Sequence, residues 1–309
     1  MKVFRREIVL LVVLLFLSVG ATSQSKKDAA QSEVKVEKQD KKTRQKRKKK
    51  KKVKLPNIDL SHWKVTLPVT KENGKPYEIS PPEIVDFAKN EKARPYMYID
   101  STKGAIVFHA MPTASKTANT KYTRSELREQ MVPGDNNTNW TFKQGGKLSA
   151  KIAMEAVSKD DNGKYHKVII LQIHGRLTNK QRDLIGQKDN NAPPILKIYW
   201  QNGKIRVKTK VLKNKAVTGD AILHEEAWGD DKGRTFEQEV GFRKFNIEVN
   251  VSNGKMVVSL NKNEFFVYDS FSIKKWGVFE NYFKAGNYFQ SRDEGSYAKV
   301  KFYDLKVTH

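Results

Sequence analysis

The sequence predicts an all-β fold, a jelly-roll sandwich of two antiparallel sheets with a concave groove on one face. Three observations carry that expectation. Short runs of alternating apolar and polar residues recur from about Leu55 onward, turn residues separate them at regular spacing, and one segment alone, Pro82 to Lys89, has a helical pattern. Many short strands with few helices are the pattern of a sandwich or jelly roll.

The runs are Trp63 to Leu67, Gly104 to Phe108, Lys167 to Gly175, Leu196 to Trp200 and Lys204 to Val211, then Phe245 to Val251, Lys255 to Leu260 and Lys299 to Val307. Asn202-Gly203 and Asn253-Gly254 fall between paired runs and read as hairpin turns. With 309 residues, 38% of them hydrophobic, the chain is long enough for one sizeable core.

Two segments precede that domain. Lys2, Arg5 and Arg6 stand before an apolar run from Ile8 to Leu17, which is followed by small residues near Ala21 and Ser23. This is a secretory signal peptide pattern, assigned to residues 1–21, and its apolar run is shorter than the ~20 residues that span a bilayer. The mature protein is therefore expected outside the cell, without stable membrane insertion. Residues 22–54 are low in complexity and carry a net charge of +11, ending in the run Lys46 to Lys52. Such a block cannot build a core and is expected to be disordered, either a solvated linker or an electrostatic tether to acidic material.

The folded domain is assigned to residues 55–309, where 41 basic and 29 acidic side chains still leave +12. A basic domain favours an acidic partner. Polyuronate, sulfated glycan, nucleic acid and a membrane surface all fit that charge. The leader pattern and the lack of any recognised nucleic-acid module argue against DNA or RNA, and no nucleic-acid partner is expected. The absence of cysteine excludes disulfides and thiolate metal sites. The six histidines show no ligand spacing and the carboxylates form no calcium loop, so no metal or other cofactor is expected. Nothing in the sequence demands an oligomer, and a monomer is expected.

Three strands depart from ordinary patterning by placing polar residues together on one face. Arg124, Glu126 and Arg128 project together from Arg124-Ser125-Glu126-Leu127-Arg128. Gln172 and His174 share a side of the apolar run Val168 to His174, with Ile173 between them pointing to the core. In the run Tyr282 to Gln290, Tyr282, Lys284, Gly286, Tyr288 and Gln290 share a face, and Gly286 leaves room for something to approach the backbone. Each strand alone has an ordinary account: a solvated face with ion pairs, a satisfied core histidine, an edge strand. Together they gather guanidiniums, an amide, an imidazole, an ammonium and phenols, a set suited to an anionic sugar chain. Lys197 and Tyr199 share another strand face and are further substrate-binding candidates.

In this order and spacing, Arg-Ser-Glu-Leu-Arg, Gln-Ile-His and Tyr-Phe-Lys-Ala-Gly-Asn-Tyr-Phe-Gln resemble the three signature motifs of polysaccharide lyase family 7, the alginate lyases. The start Asp59 to Pro68 is also similar to the opening of their catalytic domain, and the likeness covers about residues 55–309. Asn287 and Phe289 stand at positions that vary in the family and alternate away from the polar face.

The resemblance implies β-elimination of a 4-linked polyuronate. The C5 proton is poorly acidic until the adjoining carboxylate is neutralised, which calls for preorganised donors. Arg124 and Gln172 are assigned to that task. The resemblance implies that Tyr288 protonates the leaving O4 and serves as base where the geometry is syn. It makes His174 the base for the opposite C5 configuration, or an aid to neutralisation. A tyrosine titrates near ~10, so a phenolate at Tyr288 would need Arg and Lys charges close by. Glu126, Arg128, Tyr282, Lys284 and Gln290 are assigned to substrate binding. Ile173 in Gln-Ile-His, in the resembling family, accompanies activity on guluronate-containing chains, and endo action is expected. The alternatives are a non-catalytic polyanion-binding lectin on the same fold and a lyase for another polyuronate such as glucuronan.

Overall fold

Alternating strands satisfy their backbone groups only by lateral pairing, and the apolar face of each must be covered by a second layer. The computed structural model describes residues 53–115 and 120–309. The expected leader (1–21) and residues 22–52 of the expected basic segment lie outside the described residues. Val53 to His309 form one compact unit.

In chain order the strands begin with β1 (Asn57–Ile58), β2 (Trp63–Thr70), β3 (Pro76–Ile79), β4 (Met97–Asp100), β5 (Ala105–Ala110) and β6 (Arg124–Glu129). Next come β7 (Trp140–Thr141), β8 (Gly146–Val157), β9 (Val168–Arg176), β10 (Asn191–Gln201), β11 (Lys204–Leu212) and β12 (Trp228–Asp230). The last are β13 (Arg234–Glu239), β14 (Phe245–Ser252), β15 (Lys255–Leu260), β16 (Glu264–Tyr268), β17 (Glu280–Phe289) and β18 (Ala298–Thr308).

Ten strands make the first sheet, in the order β12-β11-β10-β9-β17-β6-β2-β3, with β13 beside β11 and β7 beside β17. Eight make the second, in the order β16-β15-β14-β8-β18-β5-β4, with β1 beside β18. Pairing is antiparallel except for the two-residue match of β1 with β18. Late strands insert between early ones, β17 between β9 and β6 and β18 between β8 and β5, which is jelly-roll topology. The core between the sheets includes Phe108, Ile152, Ile173, Ile198, Phe283, Phe289 and Phe302, all buried. Asn287, which alternates away from the polar face, crosses this layer. Its amide donates to the Phe108 carbonyl at 3.1 Å and the Ala298 carbonyl at 2.7 Å, tying β17 to the second sheet.

Both expected hairpins form. At Asn202-Gly203 both residues have positive φ (48° and 82°), the conformation that suits the right-handed strand twist. At Asn253-Gly254 the glycine alone does, at 70°. The expected helix is a 3-10 helix, Glu83–Lys89, interrupted at Asp86. Two short α-helices were not legible in the sequence, α1 (Asn179–Leu184) and α2 (Phe271–Lys275). Both are too short to show a helical period; a capping box of Thr178 and Gln181 starts the first.

Candidate active site

Strand register assembles the site. β17 lies between β6 and β9, so Lys284 faces Gln172 on one side and Arg128 on the other. Beyond these, Lys197 of β10 lies opposite Gln172 and Lys64 of β2 opposite Arg128. Lys197, Gln172, Lys284, Arg128 and Lys64 thus form one row across five strands. Tyr282 pairs with His174 in the next row, and Tyr288 pairs with Arg124 further along β17. A register shift between Ala285 and Tyr288 re-aims the tyrosine. The result is a cleft of about 550 Å³ whose lining includes Arg124, Arg128, Gln172, His174, Lys197, Tyr282, Lys284 and Tyr288.

Glu126 does not line this cleft. Its side chain is 0% exposed, so it cannot touch a sugar, contrary to its assignment to substrate binding. It works from beneath. One carboxylate oxygen accepts the Gln172 amide at 2.6 Å, and the other lies 2.5 Å from the Lys284 ammonium and 3.8 Å from Arg124. Gly286, opposite Glu126, has φ +143°, and a Cβ there would come within 2.7 Å of the Ser125 carbonyl. The room left by this glycine therefore admits the β6 backbone.

Two other assignments change with the geometry. Arg128 lines the cleft, but its guanidinium donates to the carbonyls of Glu129 (2.6 Å) and Asn136 (2.9 Å) and to Asn139 Oδ1 (2.8 Å). It also lies 4.1 Å over the Tyr282 ring, so its main work is holding that ring and the 136–139 loop. Gln290 falls just past the end of β17, donates to the Tyr288 carbonyl at 3.1 Å, and lies outside the cleft. It joins Tyr199, Tyr122, His166, Arg206 and Lys208 in a neighbouring hollow of about 650 Å³. Lys197 and Tyr199 are thus divided between the two spaces.

Several cleft residues escaped the sequence reading. Arg176 continues the i, i+2 series of Gln172 and His174, a signal that was available. Its guanidinium is fixed by Glu280 at 2.5 Å and Asn137 at 2.9 Å. Lys64 and Thr66 lie on a strand that had been recognised, and Glu78 of β3 accepts from both at 2.9 Å. Asn136, Asn137, Asp189 and Asn190 come from loops, where no periodicity exists to reveal them, and Asn191 opens β10.

Protonation follows from the surroundings. The His174 ring stacks on Tyr282 (centroids 5.3 Å apart, 12° between planes), and its Nδ1 lies 3.0 Å from the Gly175 carbonyl. A carbonyl only accepts, so Nδ1 carries the proton and Nε2 keeps a lone pair. Burial, with Lys284, Arg124 and Lys197 adding to it, pushes the imidazolium down to about 3. Burial pushes the Tyr288 phenol up, against the pull of Arg124, whose guanidinium lies 5.2 Å from the ring centroid. The sequence had looked to nearby cations for a phenolate; here desolvation outweighs them. Tyr282 moves up in the same way. Burial brings the Lys284 ammonium down to about 8, opposed by Glu126 and assisted by Arg124 and Lys64. The resting cleft thus sets a neutral imidazole and an un-ionised phenol within a ring of cations.

The alginate lyase family model matches residues 58–309. An alginate lyase of Klebsiella pneumoniae is 27% identical over 293 residues, 81% of this chain and 89% of that protein. The crystal structure of alginate lyase A1-II', a member of polysaccharide lyase family 7, matches with a TM-score of 0.64 at 30% identity, covering 82% of this chain and 96% of that one. Alginate lyase PA1167 from Pseudomonas aeruginosa shares the fold, with a TM-score of 0.59 at 24% identity over 82% of this chain and 100% of that one. Family match, fold and cation-lined cleft agree, and this chain belongs to the alginate lyases of polysaccharide lyase family 7.

Proposed function

We propose that this alginate lyase cleaves within guluronate-containing stretches by anti elimination, with His174 as base and Tyr288 as acid. The supporting observation is the pair of resting protonation states: a free lone pair on His174 Nε2 and a proton on the Tyr288 oxygen. Guluronate and mannuronate are C5 epimers, so their C5 protons leave from opposite faces of the ring. Where proton and leaving oxygen are on opposite sides, two groups are needed. Where they are on the same side, one tyrosine can serve both tasks but must first lose its proton, which its raised pKa disfavours.

In this scheme Arg124 and the second N–H of Gln172 bind the C5 carboxylate and stabilise the charge that develops as the C5–H bond breaks. His174 takes that proton, the C4=C5 double bond forms, and the C4–O4 bond breaks with Tyr288 protonating O4. Glu126 sets the height of Gln172 and Lys284, while Lys197 and Lys64 extend the cationic row for neighbouring carboxylates. The relative A1-II' has been crystallised with a substrate written GGMG and a product written GGG, which suits a guluronate-containing chain in a related cleft. An open groove that takes a chain across its strands suits endo action. The leader pattern of residues 1–21 suits a secreted enzyme, acting as a monomer.

The test is the initial rate of appearance of unsaturated ends, by ultraviolet absorbance, on block-enriched polymers. Wild type is expected to favour polyguluronate, and faster cleavage of polymannuronate would contradict the assignment. Ile173 is fully buried behind the two catalytic candidates, so Ile173→Val should shift the ratio by no more than about 1 kcal/mol, the scale of one methylene.

A further inference from the structure

The outer face of the eight-stranded sheet carries a second group of cations, built from different elements. The parallel match of Asn57 with Asp304 brings the segment before β1 alongside β18. The Lys54 N–H donates to the Ser101 carbonyl at 2.9 Å, and a Cβ on Gly104 would touch the Lys54 Cβ at 3.0 Å. Lys54 is thereby set against the turn that carries Lys103. Lys151 of β8 lies opposite both Asn246 and Asp304. Lys244, just before β14, rests its ammonium 3.8 Å over the Tyr303 ring centroid. All four lysines are exposed.

Most carboxylates nearby are already paired: Asp100 and Glu155 hold Lys301 at 2.8 Å and 3.0 Å, and Glu248 pairs with Lys147 at 2.9 Å. Asp304 accepts from the neutral Asn57 amide at 2.5 Å and keeps its charge, so four lysines still outnumber one carboxylate. Among the described residues, Lys54, Lys103, Lys151 and Lys244 form no ion pair. Burial and mutual repulsion from Lys151, Lys54 and Lys103 both bring the Lys244 ammonium down. Uncompensated like charges raise the energy of the free protein and lower it when an anion arrives.

We propose that Lys54, Lys103, Lys151 and Lys244 form a non-catalytic binding site for polyuronate, which holds one stretch of a long chain while another is cleaved in the cleft. The proposal rests on the alginate reading, since a polymer with a carboxylate on every sugar extends well beyond the cleft. Lysine ammoniums act as point charges without the planar fork of arginine, so they suit an anionic chain held without a fixed register. A second contact on the same molecule raises the effective concentration of substrate at the first.

The test compares wild type with the triple variant Lys103→Gln/Lys151→Gln/Lys244→Gln, both as full-length chains. KM for long alginate at low salt is expected to rise about threefold to tenfold, the scale of a few exposed ion pairs. kcat should hold, and kcat/KM on short oligoguluronates should be unchanged. The difference should shrink toward physiological salt, where charges are screened over about 8 Å. An unchanged KM for long alginate at low salt would overturn the proposal, as would an equal loss on short oligoguluronates. Tighter retention of wild type on immobilised duplex DNA than on alginate gel would overturn it in favour of nucleic acid. If wild type released no unsaturated ends, the catalytic reading would fail instead, and loss of gel retention in the variant would still support the surface site.

Discussion

Lys284 in the cleft and Lys301 on the opposite sheet expose similar fractions of their side chains, 10% and 11%, but Lys284 lies deeper in the protein and is flanked by more cations, and their acidities move in opposite directions. Lys284 comes down to about 8 because burial, Arg124 and Lys64 outweigh the single carboxylate of Glu126. Lys301 moves up because Asp100 and Glu155 together outweigh its burial. The difference teaches how the fold separates stability from function. Around Lys301 two carboxylates satisfy one ammonium from within the fold. Around Lys284 there are more cations than carboxylates, and the missing anions are those a polyuronate brings.

The largest effect expected from that contrast is on turnover. Tyr288→Phe and His174→Ala should each lower kcat about 10²- to 10⁴-fold, the range for a positioned acid or base, with the melting temperature little changed. Near-wild-type turnover for Tyr288→Phe would remove that residue from the proton transfer. Next comes stability. Glu126→Gln leaves Lys284 buried without its partner and should cost about 3 kcal/mol in denaturant unfolding, with a loss of activity. Asp100→Asn leaves Lys301 with Glu155 and should cost about 1 kcal/mol or less, with activity intact. Similar losses in both variants would break the comparison.

Much of this was legible in the sequence, and the reason is the period of two. Alternation placed Arg124, Gln172, His174, Tyr282, Lys284 and Tyr288 on shared faces, and pairing through β17 brought them together. What alternation does not carry is depth. Glu126 has the same phase as Arg124, but lies beside Gly286 with its carboxylate sealed beneath the amide and ammonium it holds. Nor does alternation tell where a strand stops, so Gln290 kept the phase of Tyr288 yet fell into the adjoining hollow. The loop asparagines and α1 carry no period at all.

A smaller effect concerns pH. In the free enzyme His174 is held down to about 3, so it stays an unprotonated base well below the ordinary histidine range. kcat/KM should therefore show no acid limb near ~6.5 and should fall only as pH approaches that lowered value. A limb at the ordinary value would show that His174 is not the base or is not desolvated in solution. The smallest effect belongs to His309, whose Nε2 lies 2.6 Å from Glu129, the carboxylate that also accepts the Phe283 N–H of β17 at 2.8 Å. Its hydrogen bond and charge contact with Glu129 outweigh burial and raise its pKa. The sign follows: its contribution is complete below the unfolded value of ~6.5 and fades as pH rises through the raised folded value. His309→Gln should lower the melting temperature more at pH 5 than at pH 9, and the reverse order would remove the charge contact from the account.

The most direct test is the rate on polyguluronate and on polymannuronate for wild type and for His174→Ala, followed by the absorbance of unsaturated ends. With His174 as base for guluronate and Tyr288 as acid, the substitution should abolish most polyguluronate cleavage and spare the residual polymannuronate cleavage, so the ratio of the two rates collapses. An equal loss on both polymers, with the ratio unchanged, would contradict the two-group assignment.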